Sequence, residues 1–488
     1  MKILLHSIAF LLVCTFIGCG REPERNIVLI TADTLRADHL GCYGYKRNTS
    51  PNIDSLASTG SQFTDASSAI DNTVPSHISI LTSMYPKRHG VYTNWNRQDV
   101  QPVTLAQILK NHGYTNAAFV SSFILHSDKV RINKGFDYYR NTDRLKVPAD
   151  ETINDALDWI RANDKKKFFV WIHLFDPHMP YNPPSPYDKA FDPDYRGWGR
   201  IYFDVLNRKE SAVEAASTPG LTKAQTKTLR LMDRGPIDVL DITYNKIGLN
   251  ERDSEYVKSL YDGEILFMDH AFGVLLGEIR KLDLSKKTLV VFTADHGESL
   301  GEHGIYWDHK GIYEPEIKIP LIITVPGMRS SKIDGMASNI DILPTLLDLL
   351  RLSVRREVLQ GFDGKSLAPL MWGKTEKVRD EIFIEQSNNM GKAIKKNDYK
   401  YIFPIKESFS LFPNDFKHRE GLYHLKTDPG ELSNLMAAGN LKDTPYQPLK
   451  DVLVLWAGET LSPRKESADF EKLDKEHQEK LRALGYLN

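Results

Sequence analysis

Cysteine is scarce: Cys14, Cys19 and Cys42 are the only three among 488 residues. Net charge is missing as well, with 63 Lys plus Arg against 64 Asp plus Glu and a formal balance of −1. Without a basic excess to neutralise phosphates, a nucleic-acid binder working by bulk electrostatics is excluded. Apolar residues make up 41%, which together with neutrality excludes a disordered tail. Internal repeats and low-complexity tracts are absent. The apolar run Ile8–Ile17 is too short and too close to the N-terminus for a comfortable spanning helix. What remains is length for one large domain or two of unequal size, with room for a sizeable core.

Residues 1–18 read as a secretory signal, with Lys2 as the basic start and Ile8–Ile17 as the apolar centre. They close on Phe16-Ile17-Gly18-Cys19, similar to a bacterial lipoprotein box, which implies cleavage before Cys19 and lipid on its sulfur. Phe16 stands where Leu is favoured, so an ordinary signal peptide or an uncleaved anchor stays open. The expected location is the cell envelope, periplasm-facing or at the outer membrane, with membrane contact through the N-terminal lipid only. Cleavage leaves Cys42 as the one free thiol, so no disulfide forms within the mature chain. With no ligand set around it, Cys42 reads as a small buried hydrophobe.

Beyond a short linker, residues 19–25, the run Ile27–Ile30 is continuously apolar and β-branched, the mark of a strand buried on both faces. Similar runs occur at Ala117–Val120, Phe168–Ile172, Leu289–Phe292 and Leu321–Val325. Helical patterns lie between them, at Asn52–Ser58, Leu105–Asn111, Ile153–Arg161, Ser254–Arg280 and Ile340–Leu350. This alternation predicts an α/β fold: an open sheet covered by helices, over residues 26–355. The polar stretch 192–250 interrupts it as an insertion, either a lid or a surface excursion. From residue 356 onward, short strand-like runs separated by turns predict a smaller α+β unit with a small sheet and a terminal helix, Asp469–Leu484.

Two strands end alike, in Ile30-Thr31-Ala32-Asp33 and Phe292-Thr293-Ala294-Asp295. In open α/β sheets, side chains just past the carboxyl ends of strands converge on the ligand crevice. Asp33 and Asp295, with His296 directly after, are thus candidate ligands of a divalent metal. A third strand runs into His173-Leu174-Phe175-Asp176-Pro177-His178. Each acid alone could equally be a helix cap or a solvated loop residue. Thr73-Val74-Pro75-Ser76-His77 opens a helix, where Thr73 is either a cap or an oxygen nucleophile activated at the positive helix end.

These segments resemble the sulfatase family, within the alkaline phosphatase superfamily, from Asn26 almost to the C-terminus. Asp33–Gly44 is similar to the first metal-binding segment, and Pro51–Ala57 to the helix that follows it. Thr73–Ser83 overlays the nucleophile motif, and Tyr85–Val91 continues it. Asp176-Pro177-His178 resembles the substrate-contacting segment. Asp295–Glu298 and His309–Glu314 resemble the last two active-site segments, and Leu481–Leu487 the closing one. The resemblance implies an alkaline-phosphatase-like, largely parallel mixed sheet with a smaller C-terminal domain. It also implies a metal held by Asp33, Asp295, His296 and Thr73. Thr73, His178 and His309 would then be catalytic, with His77 and Lys310 on the substrate.

Departures from the family pattern matter here. Sulfatases carry Cys or Ser at the nucleophile, oxidised to formylglycine; the β-methyl of Thr73 allows only a ketone, so that route is closed. A Thr nucleophile instead resembles the phosphodiesterase and phospho-headgroup transferase branches. Thr34 replaces the second aspartate of the usual pair, His296 stands where Asn is common, and His77 replaces an Arg. The more nitrogenous ligand set favours Mn²⁺ or Zn²⁺, with Ca²⁺ left open by the family resemblance. The expected substrate is an anionic ester: a sulfated or phosphorylated glycan, lipid headgroup or small molecule. A catalytically inactive glycan-binding relative is the alternative from another class.

Overall fold

The apolar runs form the middle of the sheet because every residue in them meets protein on both faces. β1 (Asn26–Ala32), β5 (Phe168–Leu174) and β6 (Thr288–Ala294) are buried along their whole length. In a computed structural model, residues 25–458 are described, apart from 96–101, 128–130, 208, 210, 233–246, 406–419, 438, 440 and 442–443. The signal segment, the linker up to residue 24, the terminal helix at Asp469–Leu484 and the closing motif lie outside the described residues, as does part of the 192–250 insertion.

The remaining strands of the large unit are β2 (Ser61–Ser67), β3 (Thr115–Phe119), β4 (Tyr138–Arg140), the short pair β7 (Ser299–Leu300) and β8 (Tyr306–Asp308), β9 (Lys318–Thr324), β10 (Ser331–Ile333) and β11 (Ala337–Ser338). Nine of the strands form one sheet in the order β10-β2-β9-β6-β1-β5-β3-β4, with β11 beside β2. β1 runs parallel to both β5 and β6, so the carboxyl ends of all three open on one edge. β9 runs antiparallel to β6 and β2, which makes the sheet mixed. β2 escapes a hydrophobic-run reading because its sequence, Ser-Gln-Phe-Thr-Asp-Ala-Ser, is mostly polar.

The helix Glu251–Lys281 crosses one face of this sheet and begins with a reciprocal cap between Asn250 and Asp253. It also holds other elements from a distance. Asp269 accepts the N–H groups of Asn52 and Ile53 at the start of the helix Pro51–Thr59, where a carboxylate offsets the positive helix end. Tyr261 donates its hydroxyl to the Thr34 carbonyl at 2.8 Å. The described part of the insertion rests on this helix through stacked Tyr195 and Tyr256, ring centres 4.3 Å apart. Cys42 is half-buried rather than fully enclosed.

The smaller unit is an antiparallel sheet, β12 (Ile382–Glu385), β13 (Gly391–Lys396), β14 (Tyr399–Pro404) and β15 (Gly421–His424), in that order. The helix Tyr446–Ala457 covers it with Leu449 and Leu453 against Ile394, Tyr401 and Leu422. Its opposite face turns toward the large unit, with Ile382, Ile384 and Ile402 against Ile312 and Ile317.

Candidate active site

Parallel register brings the acids together. Thr31 pairs with Thr293 and with His173 across β1, so Asp33 and Asp295 leave adjacent strands at matching heights. Both are fully buried, and so is His296. One oxygen of each acid and a ring nitrogen of His296 lie within 4.8 Å of one another. Asp33 Oδ1 and Asp295 Oδ2 have no hydrogen-bond partner, which is costly for buried carboxylates. His296 Nδ1–H donates to the Gly297 carbonyl at 2.9 Å, so its lone pair sits on Nε2, facing Asp295 Oδ2 at 3.4 Å. Two orphaned carboxylate oxygens and an imidazole lone pair fit a divalent cation.

Burial pushes the Asp33 carboxyl up to about 7, against the opposing pull of His296 and the Thr73 hydroxyl. Burial also raises Asp295, and the neighbouring Asp33 adds to it. Removing two carboxylates from water beside each other favours their neutral forms, and a bound cation would reverse that.

Thr73 is the first residue of the helix Thr73–Thr82, and Asn72 occupies the cap position without a side-chain bond. The open amide of Val74 is taken by Asn94 Oδ1 at 2.8 Å, from outside the helix. The Thr73 hydroxyl is therefore not needed as a cap. It points to the acid cluster instead, 3.4 Å from His296 Nε2. The helix is latched there by Ser76, which donates to the Asp295 carbonyl at 2.8 Å.

His77 takes a different place from the expected substrate contact. Its Nδ1–H donates to the Thr73 carbonyl at 2.8 Å, and its Nε2 accepts from Thr31 Oγ1 at 2.9 Å. Thr31 in turn accepts from Trp171 Nε1 at 3.0 Å. Burial pushes His77 down to about 3, so the ring is neutral and both nitrogens are committed inside the protein. It braces the start of the Thr73 helix.

His178 and His309 reach the same pocket. His178 stacks on Phe175 at 4.4 Å and donates Nδ1–H to the Met179 carbonyl at 2.6 Å. His309 donates Nδ1–H to the Asp71 carbonyl at 2.7 Å, with its ring 4.4 Å from His296 and 5.7 Å from His178. Burial lowers His178 to about 3, and burial with His296 and His178 lowers His309. Lys310 lies at the wall, its Nζ 2.9 Å from Asp308 Oδ2.

Two residues noted in the sequence, one at a strand end and one as a departure from the family pattern, take structural roles beside the acids. His173 Nε2 lies 3.1 Å from Asp33 Oδ2, and its Nδ1 is 3.3 Å from Ser121 Oγ. A ring donating to a ligating carboxylate fixes that ligand's orientation. Thr34, φ +54°, donates its amide to Asp295 Oδ1 at 3.2 Å. A β-branched residue in this conformation is strained, as backbone at functional sites often is. A β-strand extending one residue past Ile172 is the signal that would have pointed to His173.

Comparison with known proteins agrees with this geometry. Residues 25–352 match the sulfatase family, and residues 301–454 match the C-terminal region of N-sulphoglucosamine sulphohydrolase. An arylsulfatase of Clostridium perfringens is 26% identical over 482 residues, covering 86% of this chain and 91% of that protein. A choline-sulfatase of Rhizobium meliloti is 25% identical over 454 residues, covering 84% and 82%. Among solved structures, one in complex with its substrate D-glucosamine-2-N,6-O-disulfate superposes with a TM-score of 0.67 at 19% identity, covering 91% of this chain and 100% of that one. The phosphonate monoester hydrolase of Agrobacterium radiobacter gives 0.65 at 20% identity, covering 89% and 95%. The chain belongs to the sulfatase family, hydrolases of sulfuric esters on the alkaline-phosphatase-like fold.

Proposed function

We propose that the protein hydrolyses an anionic ester through Thr73, with phosphoric or phosphonic esters as its substrates ahead of sulfuric ones. The observation that carries this is the Thr73 hydroxyl, free of capping duty and 3.4 Å from His296 Nε2, in a cluster where Asp33 and Asp295 each keep one oxygen without a hydrogen-bond partner. A divalent metal held by Asp33, Asp295 and His296 would polarise the ester and acidify a hydroxyl beside it. The phosphonate monoester hydrolase among the structural neighbours accords with a phosphorus centre.

The chain's own groups divide the remaining work. Thr73 Oγ1, having lost its proton to solvent, attacks the central atom in line. His178 and His309 each commit Nδ1–H to a carbonyl, and proton exchange is assigned to Nε2. Burial favours the neutral form of both rings, and an anion among them favours their charged forms. Substrate binding therefore brings a proton to Nε2, from which the leaving alcohol is protonated. Water then attacks the Thr73 ester, giving its proton to the Nε2 left neutral by the first step, and the bond to Thr73 Oγ1 breaks to release the alkoxide for the next turnover. Lys310, whose charge acts on His309, pairs with Asp308, and Glu298 accepts from Tyr181.

The protein acts outside the cytoplasm, tethered by lipid on Cys19, on a sulfated or phosphorylated glycan, headgroup or small molecule. Purified mature chain is assayed on matched aryl sulfate, phosphate monoester, phosphodiester and phosphonate monoester substrates with Mn²⁺, Zn²⁺ or Ca²⁺. Turnover of a phosphorus ester above the sulfate is expected. Turnover of the sulfate alone would overturn the assignment of Thr73 chemistry.

A further inference from the structure

The segment leading into Thr73 is held from outside the large sheet, by the C-terminal unit. β12 ends beside it: Glu385 N–H donates to the Ala69 carbonyl at 2.9 Å, and Ile70 bridges Glu385 in parallel register. The turn after β12 then follows the wall of the pocket. Ser387 donates its amide to Asp71 Oδ1 at 2.7 Å and its hydroxyl to Asp71 Oδ2 at 3.3 Å. Gln386 Nε2 donates to the Lys310 carbonyl at 3.0 Å. Asn388 N–H reaches the Tyr92 carbonyl at 3.2 Å, through a turn in which Asn388 and Asn389 are both left-handed, φ 55° and 54°.

Asp71 is fully buried and lies two residues before Thr73. Its carboxylate is anchored on Ser387, while its main-chain carbonyl accepts Nδ1–H of His309 at 2.7 Å. One residue thus ties the start of the Thr73 segment, the imidazole of His309 and the C-terminal sheet to a common point. A buried carboxylate is expensive unless its bonds are made, so its anchoring to Ser387 also fixes the peptide that carries the carbonyl.

We infer that Asp71 is a positioning residue: locked by Ser387 of the C-terminal unit, it holds the carbonyl that keeps His309 in its Nδ1–H tautomer with Nε2 toward the ester. Gln386 does the same for the Lys310 backbone. The C-terminal unit is accordingly part of the catalytic apparatus and not only a cover. This rests on the reading that His309 serves the ester, so the test has one arm on turnover and one on the imidazole itself.

In the full chain, Asp71→Ala is expected to lower kcat about 100-fold with KM changed less than about threefold, the scale of a misplaced catalytic group. Asp71→Asn keeps an acceptor for the Ser387 amide and should recover kcat to within about fivefold of the parent. Nitrogen-15 imidazole spectra should show His309 as the Nδ1–H tautomer in the parent and in Asp71→Asn, and as a tautomer mixture in Asp71→Ala. Should Asp71→Ala not fold, Gln386→Ala is read in the same way, with an expected loss in kcat of about tenfold. An Asp71→Ala protein with parental kcat and an unchanged His309 tautomer overturns the inference, as does an equal loss in Asp71→Ala and Asp71→Asn. Were the parent to turn over no ester, the proposed function would fall, and the tautomer spectra would decide this inference alone.

Discussion

Among the described residues, two of the buried charge clusters are built on opposite terms. At the carboxyl ends of β1 and β6, Asp33 and Asp295 face each other with oxygens that no donor meets. Between the large unit and the C-terminal sheet, Lys395 holds Asp65 at 2.7 Å and Glu314 at 3.1 Å, while Lys400 holds Glu314 at 3.2 Å and Glu431 at 3.0 Å. The pKa shifts follow the arrangement. Burial drives Asp33 up to about 7. Burial acts on Glu314 in the same direction, but Lys395 and Lys400 outweigh it and hold the carboxyl down at about 2. Acids that share cations are architecture; acids left facing each other are able to hold one.

The sharpest way to break this comparison is at Thr73, which the folded core does not need but the proposed chemistry does. Thr73→Ala should lower ester turnover by on the order of 10⁴-fold, while circular dichroism melting shifts little. A protein that keeps full activity would sink the account. Lys400→Met attacks the other cluster, leaving Glu314 and Glu431 short of a buried cation. We expect a loss of about 3–5 kcal/mol in denaturant unfolding, with kcat of the remaining folded protein nearly unchanged. A larger effect on kcat than on stability would blur the distinction between the clusters.

His173→Ala removes the brace on Asp33 without touching a ligand. Metal affinity measured by competition with a chelator should fall about 10–100-fold, and added metal should restore part of the turnover. The smallest effect is on pH dependence in metal-stripped protein. Asp33 is raised above its unfolded value, so it binds a proton in the fold that the unfolded chain has released; stability from this group falls as pH rises from about 4 to about 7. Glu314 has the opposite sign: its contribution is present above about 4.5 and is lost as pH falls toward about 2. Melting temperatures across pH 2–8, with and without metal, separate the two. Metal should flatten only the upper slope.

Much of the site was readable before folding because ligand pairs at strand ends repeat a local pattern. Ile-Thr-Ala-Asp and Phe-Thr-Ala-Asp each place an acid one step beyond a buried strand, and parallel pairing makes that step common to both. The β-strands built from continuous apolar runs were legible for the same reason, since burial on both faces leaves no polar alternation. β2 was not, because its serines, Gln62 and Asp65 carry no such signal. His77 reads in sequence as a substitute for a charged substrate contact, yet its environment sets it as a neutral brace between Thr31 and the Thr73 carbonyl.

The α/β organisation, the acids and histidines available to the pocket, and the threonine at position 73 are legible in the amino-acid order alone. These are local facts, written in the chemistry of single residues and in the period of buried runs. Folding then sets which carboxylate oxygens among them, Asp33 Oδ1 and Asp295 Oδ2, meet no donor. Whether a buried carboxylate is paired, like Glu314, or left facing another acid, like Asp33, depends on side chains far away in the chain, 81 and 86 positions on for the lysines that hold Glu314. The same holds for Asp71 and Ser387, separated by 316 positions, which meet at the wall of one pocket. Pairing is a property of distance in space, and in a low-dielectric interior it alone separates a structural charge from one left to act.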